Sequence, residues 1–277
     1  MNVGKIYMDD KIVPVKDLSF YATRFLHANY LYQTINTVDH RPLYLKEHLA
    51  NLAAAHEALY GKPLELEERK IERQIANLLH EGRLPHGGNS VNIIVIPDND
   101  EPHIIIEHNR MTLYEGFAIL SLRPKAIITN YEIPFERHLT SVSMQTADFM
   151  NSVAKRNGLH LAIRANRKGQ LISAGDYPLF AVKNRTVMTV PVAEGAKVCA
   201  EREMMFRLCQ MAGINIEECD IPVSELKNID ELMIFTPIGI QSVLCCDNKY
   251  FHSTVASLLD RHLPRLTKEG FSSFKRP

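Results

Sequence analysis

The sequence predicts an α+β protein with a small N-terminal domain and a larger C-terminal one. Two observations lead there. At roughly 100–200 residues per domain, 277 residues make one large domain or two ordinary ones. The first third also reads as strands followed by helices, and it closes on a polar stretch at 110–116 that suits a linker. The expected division is therefore 1–109, a linker at 110–116, and 117–277.

Each element has its own signal. Stretches 3–8 and 11–15 flank Asp9-Asp10, a turn pair, and predict a hairpin. Stretches 31–38 and 42–44 predict a second hairpin around Asp39-His40-Arg41. Leu45, Leu49, Leu52, Leu59 and Tyr60 fall close to helical spacing, and Ile71, Ile75, Leu78 and Leu79 do so again. The turn His86-Gly87-Gly88-Asn89 leads to a strand at 90–97. A polar turn at 97–102 follows, lacking the glycine and final glutamate of a calcium loop, and then a strand at 103–107. Beyond the linker the sequence predicts a strand at 117–123, an irregular proline-bearing stretch and a helix within 144–157. Strands at 160–165, 178–183 and 186–191 come next. The rest reads as a helix at 201–211, strands at 214–217 and 231–236, and a helix near 255–265. The tail 274–277 reads as a frayed terminus.

Composition narrows the function classes. Hydrophobic residues make up 45% and charged residues 23%, enough for a core without disulfides or a structural metal. Lys and Arg total 32 against 32 Asp and Glu, which leaves no broad footprint for nucleic acid or an anionic membrane. No apolar run approaches the ~18–20 residues of a membrane span. The first ten residues are acidic, with no apolar signal core, so a cytoplasmic location is expected. The five cysteines form no CxxC pair and read as buried small hydrophobes. The twelve histidines include no HExxH pattern, and His48 and His56 lie too far apart along one helix to share an ion, so no metal is expected. Asp148 with His138 or His160 would offer acid–base groups, but surface or core placement is the simpler reading of each.

Three common catalytic scaffolds lack their signal, since no GxGxxG, P-loop or GxSxG occurs. A collinear series of weaker features stands out instead. Thr23-Arg24-Phe25-Leu26-His27 follows the first hairpin, then come Tyr32-Gln33-Thr34-Ile35 and Leu45-Lys46-Glu47-His48-Leu49-Ala50-Asn51-Leu52. Gly169-Gln170-Leu171-Ile172-Ser173, Leu179-Phe180 and Arg202 at a helix start come later. Gly213-Ile214, Glu217-Glu218, Asp230-Glu231, Thr236 and Gly239-Ile240-Gln241-Ser242-Val243 close the series. In order and spacing, from about residue 3 to 265, this resembles the class IV aminotransferases. These are the fold-type IV pyridoxal phosphate (PLP) enzymes, which include branched-chain and D-amino-acid aminotransferases and aminodeoxychorismate lyase. The resemblance implies a small N-terminal α/β domain, a larger C-terminal domain with a barrel-like core, a cleft between them, and a homodimer.

The anchor residues of that family are replaced here. Its chemistry needs a lysine to hold PLP and to act as general base. The matching position is Gln145, or Met144 under a one-residue shift, and no lysine occurs between Lys125 and Lys155. Lys155 would stand ten residues along a helix, roughly 15 Å away at ~1.5 Å per residue. The arginine that clamps the phosphate is replaced by Asn51, forgoing a charge-assisted bond worth roughly 1.5–3 kcal/mol. The glutamate that protonates the pyridine nitrogen is replaced by Ser173. The family's Phe-Glu reads Tyr32-Gln33, and its Gly-Asp-Gly reads Ala28-Asn29-Tyr30.

The resemblance thus implies a degenerate site at Asn51, Gln145, Ser173 and Thr236, with His27, Asn29, Tyr30, Gln33 and Arg202 lining the cleft. Thr236 and the helix start at 200–202 could still face an anion. The uncharged replacements suit a polar, hydrogen-bonding small molecule, or a cleft with no ligand. The leading expectation is a homologue without PLP chemistry, a pseudoenzyme or a repurposed binding cleft, with no cofactor. One alternative is an active PLP-dependent aminodeoxychorismate lyase or aminotransferase using a displaced lysine, of which Lys125 and Lys155 are the nearest. The other is a non-enzymatic dimeric scaffold.

Overall fold

The computed structural model describes residues 5–14, 28–97 and 101–271. Its contacts divide the chain into one unit of Met1–Gly116 with Thr267–Pro277 and a second of Phe117–Leu266.

The first unit opens on the hairpin β1 (Lys5–Met8) and β2 (Lys11–Pro14), followed by β3 (Leu31–Val38) and β4 (Arg41–Pro42). Two helices follow, α1 (Leu45–Tyr60) and α2 (Glu68–Glu81), then β5 (Gly88–Ile96) and β6 (His103–Met111). The strands pair antiparallel in the order β2-β1-β6-β5-β3-β4. Leu49 and Leu52 of α1 and Ile75 and Leu79 of α2 pack with Leu31, Ile35, Val91 and Ile93 of the sheet, which is why the helical spacing was readable. β6 runs past residue 107 and takes in Asn109, Arg110 and Met111, the start of the stretch that reads as a linker. Val3, Val15, the middle of the turn at 97–102 and the tail 274–277 lie outside the described residues.

The second unit holds one mixed sheet, curled into a half-barrel. Its strands are β7 (Ala118–Ile119), β8 (Lys125–Asn130), β9 (Leu161–Ala165), β10 (Leu171–Ala174), β11 (Tyr177–Lys183) and β12 (Thr186–Thr189). They continue as β13 (Ile216–Glu218), β14 (Glu231–Thr236), β15 (Gly239–Ser242), β16 (Cys245–Cys246) and β17 (Lys249–Tyr250). The order is β17-β16-β8-β9-β10-β11-β14-β15-β7, with β12 joining β11 to β13. The helices are α3 (Ser141–Arg156), α4 (Ala200–Ala212), α5 (Thr254–Asp260) and α6 (Leu263–Gly270), the last crossing from the second unit into the first.

Local chemistry explains where the structure departs from the sequence reading. The irregular stretch contains β8, held between the parallel neighbours β16 and β9, so no polar–apolar alternation marks it. The strand expected at 117–123 shrinks to two residues. The single C-terminal helix is two, because Pro264 has no N–H to donate to Asp260 and α5 ends there. Four hairpins turn on Asp9-Asp10, Asp39-His40, Asn184-Arg185 and Asp247-Asn248, with φ at both turn residues between 44° and 69°. An Asp or Asn leads each pair, the residue types that best tolerate the left-handed region. Gly239 is required where it stands. Its φ is 131°, and a Cβ there would lie 2.0 Å from the Ala118 carbonyl oxygen, on the strand β15 pairs with.

Candidate functional site

Within the second unit, Ser173 and Arg164 are cross-strand partners on β10 and β9, beside a bulge, and both are wholly buried. Arg164 spends its donors inside the protein. Nη1 donates to Glu136 Oε2 at 2.6 Å, Nη2 to the Gly195 carbonyl at 3.2 Å, and Nε faces Ser173 Oγ at 3.5 Å. Gly195 permits this approach, since its φ is 102° and a Cβ would lie 2.5 Å from Glu136 Oε1. The Ser173 hydroxyl thus faces a guanidinium.

A second buried pair lies in the same unit. Lys197 Nζ donates to Asp176 Oδ1 at 2.7 Å, with side-chain exposures of 0% and 8%. The Tyr131 hydroxyl is buried without a partner, and burial pushes its pKa up to about 12, with Arg164 lowering and Asp176 raising it. Burial lowers the His138 pKa, and the positive Lys197 and Arg137 push the same way. Two cations and two carboxylates therefore compensate each other internally. None of these five residues, Glu136, Arg164, Asp176, Lys197 and Tyr131, was singled out from the sequence. A usable signal existed: Arg164 interrupts the apolar run 161–165 and Lys197 the run 196–200, and a charge inside an apolar run must find a partner.

The sequence-predicted positions fare differently. Gln145 is exposed on α3, whose start is fixed by a capping box in which Thr140 and Ser143 bond each other's N–H. Met144 is half-buried. Thr236 is buried at the end of β14, and its hydroxyl donates to the Gly239 carbonyl at 3.0 Å, so its proton serves the β14–β15 turn. Arg202 is buried, bonded to Glu218 and to the Val190 carbonyl, with its guanidinium over Phe206. Lys125 and Lys155 are both exposed. Neither His138 nor His160 hydrogen-bonds Asp148. The backbone N–H of Lys125 donates to His160 Nδ1, and Asp148 stands exposed on α3. Cys199, Cys209, Cys245 and Cys246 are buried and Cys219 partly so.

In the first unit, Asn51 is half-buried on α1, Asn29 is exposed and Tyr30 is half-buried, while His27 lies outside the described residues. Gln33 meets His48 across the core. The Nδ1–H donates to Gln33 Oε1 at 2.8 Å, and complete burial lowers the His48 pKa to about 3. A cavity of about 370 Å³ lies between α2 and the β1–β6 edge, floored by Tyr7, Ile71, Ile104 and Ile106, and none of the predicted site residues lines it. Among the described residues, no three His, Cys, Asp or Glu side chains group to hold a metal ion, and no helix is long and apolar enough to cross a membrane.

The curled mixed sheet and the order of these positions define a fold-type IV architecture. A family model for amino-transferase class IV matches residues 30–242, and the chain belongs to that family. Among solved structures it is similar to the branched-chain amino acid aminotransferase of Escherichia coli, with a TM-score of 0.80 at 16% identity over 95% of this chain and 94% of that one. The branched-chain aminotransferase of the archaeon Thermoproteus uzoniensis gives 0.82 at 13% identity, covering 96% and 95%. A provisionally assigned 4-amino-4-deoxychorismate lyase of Legionella pneumophila gives 0.75 at 18% identity, covering 88% and 93%. No curated protein matches the chain by sequence.

Proposed function

We propose that this protein keeps the class IV aminotransferase fold without Schiff-base chemistry on pyridoxal phosphate, and serves as a pseudoenzyme or small-molecule-binding homologue. The observation that carries this reading is the absence of any lysine between Lys125 and Lys155, which leaves α3 with the exposed Gln145 at the family's lysine position. An amide forms no imine. The geometry at Ser173 supports the same reading. A pyridine nitrogen seated there would face the Arg164 guanidinium, a cation that disfavours the protonated ring. The residues present therefore do not fit the cofactor. A polar, uncharged small molecule suits the site better, because Arg164 is paired with Glu136 and Lys197 with Asp176. A homodimer in the cytoplasm is part of the proposal, in line with the family's architecture.

The second reading, a working lyase or aminotransferase with a displaced lysine, has one residue in its favour. Lys197 is a fully buried lysine of the second unit, although Asp176 holds its ammonium. One experiment separates the two. The purified protein is incubated with pyridoxal phosphate, followed by absorbance, reduced with borohydride and mapped by mass spectrometry. The proposal expects no stoichiometric adduct. A single labelled lysine, Lys197 above all, would establish the second reading instead.

A further inference from the structure

Between α2 and the β1–β6 edge, the described residues of the first unit leave a cavity of about 370 Å³. That lies within the range of small-molecule sites, roughly 300–1,000 Å³. Its floor is apolar, with Ile71 and Ile106 buried in the unit's core and Ile104 packed against it, and Tyr7 brings an aromatic ring to the same space. The neighbouring turn is tied down on two sides. Asp9 accepts from the Ile104 N–H at 3.1 Å and from the His103 Nδ1–H at 2.7 Å. Asp10 accepts from Lys70 Nζ at 2.6 Å and from Gln74 Nε2 at 2.8 Å. These bonds join the β1–β2 hairpin to β6 and to α2, so the walls stand before any guest arrives.

The rim is unbalanced in charge. Asp10, Glu65 and Glu67 line the cavity, and Lys70 is the basic residue among them. Lys70 is committed to Asp10. The carboxylates of Glu65 and Glu67 have no hydrogen bond or ion pair among the described residues, and Glu67 makes no capping bond although it stands at the N-cap of α2. The positive end of that helix amounts to about half a unit charge. Glu68 in the first turn adds a further negative charge, so the balance at the rim stays negative.

We propose that this cavity binds a small organic amine in its ammonium form, with the apolar body on the Ile71–Ile104–Ile106 floor and the cationic head at Glu65 and Glu67. A neutral guest leaves both carboxylates unused, and an anionic one is repelled by them. None of Asn51, Gln145, Ser173 or Thr236 lines the cavity, so the site is separate from the positions on which the proposed function rests.

2-Phenylethylamine, 2-phenylethanol and phenylacetate test it, being close in size but cationic, neutral and anionic near neutral pH. Each is titrated by calorimetry into the full-length protein, a Glu65→Gln/Glu67→Gln double variant and Ile104→Trp, which fills the floor. The wild type is expected to bind the amine about fivefold tighter than the alcohol, with phenylacetate weakest. About 0.5 M NaCl should narrow that preference. The double variant, changed only at exposed side chains, should bring amine and alcohol within about twofold. Folded Ile104→Trp should weaken the amine at least about fivefold, and if it misfolds the double variant decides alone. Equal affinity for amine and alcohol in the wild type overturns the proposal, as does no binding of the amine up to about 10 mM. So does a preference that survives both glutamine substitutions, or amine binding undiminished in folded Ile104→Trp. A borohydride-reducible lysine adduct would refute the functional proposal and leave this inference untouched.

Discussion

His48 offers a test of the first unit's core that can be worked to a number. Its ring is 2% exposed, its Nδ1–H donates to Gln33, and its pKa falls from 6.5 to about 3 because burial penalises the imidazolium. The folded state therefore binds fewer protons than the unfolded chain between pH 3 and 6.5. Stability is fully present above pH 6.5 and declines as pH falls through that window, by about 1.4 kcal/mol per unit. Between pH 6.5 and 5 this amounts to about 2 kcal/mol, and about 5 kcal/mol by pH 3. Replacing His48 with Asn places an amide N–H near the position of Nδ1–H and removes the titration. Urea unfolding followed by circular dichroism at pH 5.0, 5.5, 6.0 and 6.5 isolates the effect, as the difference between wild type and His48→Asn cancels every other titrating group. The difference should tilt against the wild type by about 2 kcal/mol across those points. A difference flat to within about 0.5 kcal/mol would show that His48 is protonated in the fold or reached by water, and the reasoning would fail.

Three further outcomes follow from the second unit. Lys197→Met should cost about 3–5 kcal/mol by leaving Asp176 buried without its cation, while Lys197→Met with Asp176→Leu should recover most of that loss; urea midpoints decide, and a benign single variant would refute the pairing. Gly239→Ala should destabilise by about 3 kcal/mol or more, from a Cβ 2.0 Å from the Ala118 oxygen and a positive φ, read as a drop in thermal midpoint. Gln145→Lys alone should restore no transamination in a coupled keto-acid assay, because Ser173 facing Arg164 and Asn51 remain; full turnover would mean that the lysine was the only essential loss.

Much of the fold was legible because its long elements advertise themselves. The helices at 45–60 and 68–81 carry one apolar face each, and β3 and β14 were readable to the residue. The short strands of the half-barrel were less so. β10 and β16 are four and two residues long, too brief for a period to register, and β16 pairs with β8, a strand distant in the chain. The site divided along the same line. The replacements proposed at Asn51, Gln145 and Ser173 are positional, and order along the chain can suggest them. Their surroundings are three-dimensional, and order cannot suggest those.

Arg164 and Glu201 make that difference chemical. In sequence, Ser173 is a missing carboxylate and the start of α4 is an open invitation to an anion. In the fold, the first is a hydroxyl opposite a buried guanidinium and the second carries a buried acid, Glu201. A site that had merely lost its anchors would leave buried charges unpaired, at a cost of several kcal/mol each. This one pairs Arg164 with Glu136 and Lys197 with Asp176, and Glu201 meets the same constraint by taking a raised pKa. Such compensation is what a chain would need to stay folded without a bound phosphate supplying negative charge. Under the proposed function, the side chains that argue against the family's cofactor are therefore also the ones that would let the fold stand without it.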